Sequence, residues 1–296
     1  MMTKTEVMSV KYDKAVVAAG LLIALFTVPV YASSFEDLEP SGRGRALGGA
    51  CSTIVNDADA NWWNPAGLSE SHGRQLTLFY QDLFGLGLVN NQYLGYVQQN
   101  AAKSGVALTW NQVRTSSRVD FMQYSENSYS FGYGLRIIPQ LSAGISLTYY
   151  NLTNPSRASG WGYSLGLLTK LFSGHIRLAA VGNNLNRPTI TWDSGRSERL
   201  PSKWTLGLGI SPNKGWTILS DFRGVGSGWT ETRLGMETRF LNEALSLRCG
   251  VCNLEEKRWL PSCGAGVKWG MVKFDYALEF HYALGVSQIL ALTLNW

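Results

Sequence analysis

Tyr129-Ser130-Phe131-Gly132-Tyr133-Gly134-Leu135-Arg136-Ile137 and Leu141-Ser142-Ala143-Gly144-Ile145-Ser146-Leu147-Thr148-Tyr149 decide the fold of this chain. Every second residue is apolar, and the residues between are small, polar or charged. A period of two is the pattern of β-strands, and the short break at Pro139-Gln140 joins the two into a hairpin. In a soluble sandwich the apolar face lines a core and the other meets water. In a membrane barrel the apolar face meets lipid, while small and charged residues line the lumen.

The position of the charges chooses between these readings. From Arg74 onward the alternation recurs in fourteen segments, the first at 74–83 and the last two at 272–281 and 286–296. The apolar rows Trp204-Leu206-Leu208-Ile210, Leu245-Leu247-Cys249-Val251, Phe274-Tyr276-Leu278-Phe280 and Leu290-Leu292-Leu294-Trp296 hold no ionisable acid or base of the Asp, Glu, Lys or Arg type. Asp221, Arg223, Glu231, Arg233, Glu237, Arg239, Arg248, Lys268, Lys273, Asp275 and Glu279 fall on the opposite rows. Lipid enforces such a split, because a charge facing the bilayer midplane costs about 2–4 kcal/mol. Connections also sort by length, with short ones such as 139–140 and 241–242 alternating with longer ones such as 115–125 and 185–201. The predicted fold is all-β, a fourteen-stranded antiparallel transmembrane barrel. Its first strand must pair with its last, since hydrocarbon leaves no edge amide satisfied.

With 296 residues and a mean hydropathy of −0.06, the chain carries no long apolar helix after its N-terminal run. The net charge of +5 is spread singly among strands, which excludes a nucleic-acid surface. Lys4, Lys11 and Lys14 precede the apolar run Ala15 to Val28 and the small-residue site Val30-Tyr31-Ala32. Residues 1–32 therefore read as a signal peptide, and the expected location is the outer membrane. Cys249 and Cys252 lie on one predicted strand, where a spacing of three sends them to opposite faces. Cys252 and Cys263 flank a predicted loop before a strand at 262–270 and are candidates for a disulfide. His72, His175 and His281 stand in no nucleophile–base pattern, so no catalytic residue, metal site or cofactor is expected.

Residues 33–73 do not alternate. They contain Arg45-Ala46-Leu47-Gly48-Gly49-Ala50 and then Asn56-Asp57-Ala58-Asp59-Ala60-Asn61-Trp62-Trp63-Asn64-Pro65-Ala66-Gly67-Leu68. Together with 178–185, 200–210, 245–251, 274–278 and the final strand, these motifs resemble the FadL / PorV–PorQ superfamily of outer-membrane proteins. The resemblance implies a plug, residues 33–73, lodged in a barrel of residues 74–296. Trp62, Trp63, Asn64, Pro65, Ala66 and Gly67 would then be the plug motif. Asn64-Pro65 is a turn signal and Ala66-Gly67 permit close packing, while Trp62 and Trp63 could instead line an apolar path.

The luminal charges have two readings: a ligand path that meets a carboxylate, or a lattice of pairs that fills the lumen and holds the plug. Their mixed, alternating signs favour the lattice. Leu292, Leu294 and Trp296 would form the C-terminal signal read by the barrel-assembly machinery. The resemblance implies membrane lipid and a fatty acid or other hydrophobic ligand as partners, and transport as the function. Its alternative is a PorV-like scaffold for type IX secretion, with secretion-system proteins as partners.

Overall fold

Alternating rows become strands when each face finds a different surrounding, and here the two surroundings are a lumen and the outside of a barrel. The computed structural model describes residues 39–100, 103–115, 124–153, 157–213, 215–226, 228–254 and 258–296, so the expected signal peptide lies outside the described residues. In chain order the strands are β1 (Arg74–Asp82), β2 (Val89–Asn100), β3 (Ser104–Thr115), β4 (Ser125–Ile138), β5 (Leu141–Thr153) and β6 (Ala158–Leu171). Next come β7 (Ile176–Asn183), β8 (Thr189–Trp192), β9 (Ser197–Arg199), β10 (Lys203–Asn213) and β11 (Trp216–Val225). The last are β12 (Gly228–Phe240), β13 (Leu245–Leu254), β14 (Arg258–Trp269), β15 (Val272–His281) and β16 (Gly285–Asn295).

Every ladder is antiparallel. β1 pairs with β2 on one side and with β16 on the other, placing Leu78 opposite Leu292 and Thr77 opposite Thr293. Fourteen strands close the ring, and the β8–β9 hairpin hangs from β6 alone through Ala158–Trp192 and Ser159–Thr191. The terminal residue is held as well: Trp296 and Arg74 exchange backbone hydrogen bonds of 2.9 Å each. Leu292 and Leu294 lie in the last strand, on the outward row that ends at Trp296.

Two expectations need correction. The stretch 185–201 is not a plain loop, because Thr189 to Trp192 alternates and a turn at 193–196 returns the chain to form the small hairpin. Ile190 is its fully buried anchor. The strand predicted at 262–270 begins earlier, at Arg258. Pro261 lies within the added residues and lacks an N–H. It is tolerated because pairing with β15 starts only at Ser262, and Pro261 lies beside β13 alone.

The inversion is plain in the exposures. Leu206, Leu247 and Leu290 are 47%, 49% and 42% exposed, whereas Arg233, Arg248 and Asp275 are 7%, 5% and 2% exposed. Oily side chains outside and ionised ones inside is the arrangement of a barrel solvated by lipid. Trp161, Tyr149 and Tyr129 form an aromatic file on the outer wall, with ring centroids 4.9 and 6.5 Å apart.

The predicted Cys252–Cys263 disulfide is absent. Cys252 stands opposite Leu260 and lines an inner cavity, while Cys263 points outward opposite Cys249, and all four cysteines are unbonded. With β14 starting at Arg258, the two residues are no longer the ends of a loop but points on opposite faces of one ladder.

Replacing Leu247 by Arg should lower the unfolding free energy in lipid by about 2–4 kcal/mol, the cost of a lipid-facing charge near the midplane. Urea titration in vesicles measures this, and an unchanged midpoint would contradict the outward placement of β13's apolar row.

Candidate functional site

Residues 39–73 lie against the inward faces of the strands. The segment starts with helix α1 (Gly42–Ala46), whose first turn is closed by the Ser41 hydroxyl accepting from the Gly44 N–H at 2.9 Å. Gly48 follows in the left-handed region at φ 63°, and a Cβ there would stand 2.5 Å from the Val251 backbone nitrogen. Only glycine serves both demands, a positive φ and backbone against wall. The wall reciprocates, since a Cβ on Gly250 would meet the Leu47 carbonyl carbon at 2.1 Å.

The second motif folds around Asn64, which is fully buried. It ends helix α2 (Ala60–Trp63) and caps the 3-10 turn Pro65–Glu70. Its Oδ1 accepts from the Ala66 N–H at 3.1 Å, and its Nδ2 donates to the Ser52 and Leu167 carbonyls at 2.9 and 3.3 Å. Pro65 suits the first position of a helical turn, where no N–H is needed. Trp63 is buried, donates from Nε1 to the Pro40 carbonyl at 3.0 Å, and lies 5.7 Å beneath the Arg233 guanidinium. Trp62 is half-buried against the same cluster. Ala66 and Gly67 are buried, and Gly67 faces the Val55 carbonyl so closely that a Cβ would sit 2.2 Å from it.

The lumen has two unlike halves. Strands β3 to β6 present glycines: Gly105, Gly132, Gly144 and Gly166 face Leu68, Asn61, Pro65 and Asn64, with no room for a methyl group. Strands β11 to β15 present the charges, and these bind the first half of the segment. Glu39 accepts from Arg223 at 2.6 Å and from Arg233 at 2.8 Å, and Glu231 pairs with Arg233 at 2.5 Å. Arg43 grips Glu237 in a fork of two 2.8 Å bonds, a geometry that only guanidinium offers. Glu237 also receives Arg239 at 2.8 Å and Arg248 at 2.7 Å. Arg248 then reaches Asp275 at 2.6 Å, which Lys273 holds from its other oxygen at 2.9 Å. Asp221 accepts from the Cys51 and Ser52 amides and the Ser52 hydroxyl at 3.1, 3.0 and 2.8 Å.

Of the charges read from the sequence, the structure thus joins Arg223, Glu231 and Arg233 in one group and Glu237, Arg239, Arg248, Lys273 and Asp275 in another. Glu279 pairs with Arg45. Lys268 stands apart, exposed and directly opposite Lys273, with no ion pair among the described residues. The sequence reading missed the segment's own charges, Glu39, Arg43, Arg45 and Glu70. Their signal was present, because isolated charges in a stretch of glycine and alanine have no apolar reason to be there. Glu70 pairs with Lys170 at 2.6 Å and with Arg177, which anchors the far end of the segment.

Burial opposes the charge on Arg43, yet the Glu237 carboxylate outweighs it and holds the guanidinium above its ordinary value. Asp59 is shifted upward, first by burial and then by the neighbouring Asp57. Two cavities flank the segment. One of about 240 Å³, on the side of the longer loops, is lined by Leu83, Phe84 and Leu260 together with the charged Glu39, Arg45, Glu231, Arg233 and Glu279. The other, of about 590 Å³ at the short-turn end, is polar and lined by Arg43, Asp57, Glu237, Arg239 and Lys268 among others.

No known protein family and no curated protein matches this sequence. Solved structures do match the fold. The toluene transporter TodX of Pseudomonas putida superposes with a TM-score of 0.68 at 15% identity, over 88% of this chain and 99% of that one. The toluene transporter TbuX of Ralstonia pickettii gives 0.65 at 14% identity, over 88% and 99%. A FadL homologue of Pseudomonas aeruginosa gives 0.59 at 11% identity, over 84% and 96%. At these identities the likeness establishes a shared fold across nearly the full length of those chains.

Substituting Glu237 by Gln should cost about 3–5 kcal/mol of stability, because three guanidiniums lose their shared counter-charge. Chemical denaturation checks it, and a neutral result would remove Glu237 from the network. Asp59 binds its proton more readily folded than unfolded, so its contribution favours folding at low pH. That advantage is lost as pH rises from the ordinary aspartate value, about 3.9, toward the elevated folded one. Asp59→Asn should therefore match the parent at pH below about 3.9 and exceed it in stability above that range; the opposite trend would refute the assignment.

Proposed function

We propose that this chain is a FadL-type transporter of the outer membrane that passes small hydrophobic or amphipathic compounds. The observation that carries the reading is the occupied lumen: a closed lipid-facing barrel whose interior holds residues 39–73 between two cavities. The shared fold with two toluene transporters and a FadL homologue supports it. On the long-loop side a solute would meet Leu83, Phe84 and Leu260 beside the charged Arg45, Arg233 and Glu279, a lining that suits an amphipathic compound. The segment acts as the plug.

Because the plug is tied by Glu39, Arg43, Arg45 and Glu70, complete ejection would leave several buried charges unpaired, a cost of several kcal/mol for each. Local rearrangement beside the plug is the cheaper course. Exit toward the short-turn end fits the polar cavity there, where water can replace the plug's contacts. Sideways exit would require parting the ladders from β1 through β5, which are in register except at Arg136/Ile138 beside the β4–β5 turn. The secretion-scaffold alternative draws no support from the residues described.

Whole-cell uptake tests the proposal, since a lipopolysaccharide leaflet is the barrier that such solutes cannot cross unaided. Bacteria lacking their own hydrocarbon channel and expressing this chain should accumulate labelled toluene or a medium-chain fatty acid several-fold faster than vector controls. Deleting residues 39–73 should also convert a low planar-bilayer conductance into a high one. Uptake equal to the control for both probes would refute transport, and unchanged conductance would refute the plug.

A further inference from the structure

Among the four cysteines the register brings two together. Cys249 on β13 is the direct partner of Cys263 on β14, and both are unbonded and exposed on the outer wall. Their class of pairing can be derived. Antiparallel partners alternate between hydrogen-bonded and non-hydrogen-bonded pairs. The Lys268 N–H donates to the Ala244 carbonyl at 2.8 Å, which fixes that position as a bonded one. Counting back along β14 places Cys263 in the other class. Pro261 belongs to the same class, as a residue without an N–H must when no bulge interrupts the ladder.

In non-hydrogen-bonded pairs the Cα atoms are about 4.5 Å apart and the side chains approach most closely. Disulfides span Cα separations of about 4.4–6.8 Å, so the bridge requires side-chain rotation but no movement of backbone. The flanking partners in the same row are Met236 and Leu278, neither of which competes for a thiol. The remaining cysteines are elsewhere: Cys252 faces the inner cavity and Cys51 is buried in the segment within the lumen. The bridge would sit just inside the stretch 258–261, where β14 pairs with β13 alone.

We propose that Cys249 and Cys263 are an oxidation site that closes to a cross-strand disulfide during export, before the barrel enters the membrane. The order follows from the chemistry. The attacking species is a thiolate, and in hydrocarbon an isolated anion is too costly to form. While the β13–β14 hairpin is still in an aqueous oxidising compartment, one thiolate attacks the disulfide of a dithiol-oxidising protein. The second thiol then displaces that protein from the mixed disulfide. One S–S bond forms in this chain, one is reduced to two thiols in the oxidant, and the two protons pass to the oxidant's thiols.

The experiment uses the full chain exported in a two-membrane bacterium, purified without reductant and denatured in N-ethylmaleimide. Two cysteines, Cys51 and Cys252, should be labelled, and digestion should yield one linked peptide pair carrying Cys249 and Cys263. After reduction all four should label. Cys252→Ala should retain the bridge and Cys263→Ser should lose it. Four labels without reduction, or a bridge that survives in Cys263→Ser, would overturn the proposal.

Discussion

A backbone amide in hydrocarbon has no water to turn to, and the architecture follows from that single constraint. An open sheet would strand two rows of N–H and C=O groups, so β16 must come back to β1, and Trp296 must meet Arg74. Once the ring is closed, the alternation of side chains assigns each residue to lipid or to lumen without further choice. The oily row of β13 and the buried Arg248 between its members are two consequences of one pleat.

Closure creates a second problem, which is an interior to be filled. Ionised side chains cannot line an empty narrow tube without partners, and residues 39–73 supply those partners. On one side Glu39 balances the net positive group of Arg223, Glu231 and Arg233, while Arg43 adds a further guanidinium to Glu237. On the other side charges are fewer, Lys170 and Arg177 holding Glu70, and fit is obtained mainly by removing side chains from the wall, as at Gly144 and Gly166. Attraction secures one half and shape the other. Asp221, which binds backbone amides rather than a cation, sits between these modes.

Much of this was readable in the sequence, and the failures share a cause. Period-two alternation is local, so strands from Arg74 onward and the inward rows of charge could be found without coordinates. The Asn64-Pro65 turn was readable for the same reason, since its chemistry lies within a few residues. Pairing between distant residues was not. Nothing local says that Glu237 would take Arg43, nor that Glu70 would reach Lys170 and Arg177. The cysteines make the same point: along the chain Cys252 and Cys263 looked like neighbours, but the register gives Cys249 that place. Pro261, which lacks an N–H, fits the strand because a second neighbour is missing there.

The position of the luminal segment in the chain also bears on how the molecule is put together. It precedes every stave that surrounds it, and it touches both the early strands, through Pro65 and Leu68, and the late ones, through Leu47 and Arg43. It is therefore shared between both ends of the strand series, fitted to the early staves at glycines and held to the late ones by charge. A filling tied to staves at both ends of the series braces the cylinder from within, on either side of the seam between β16 and β1.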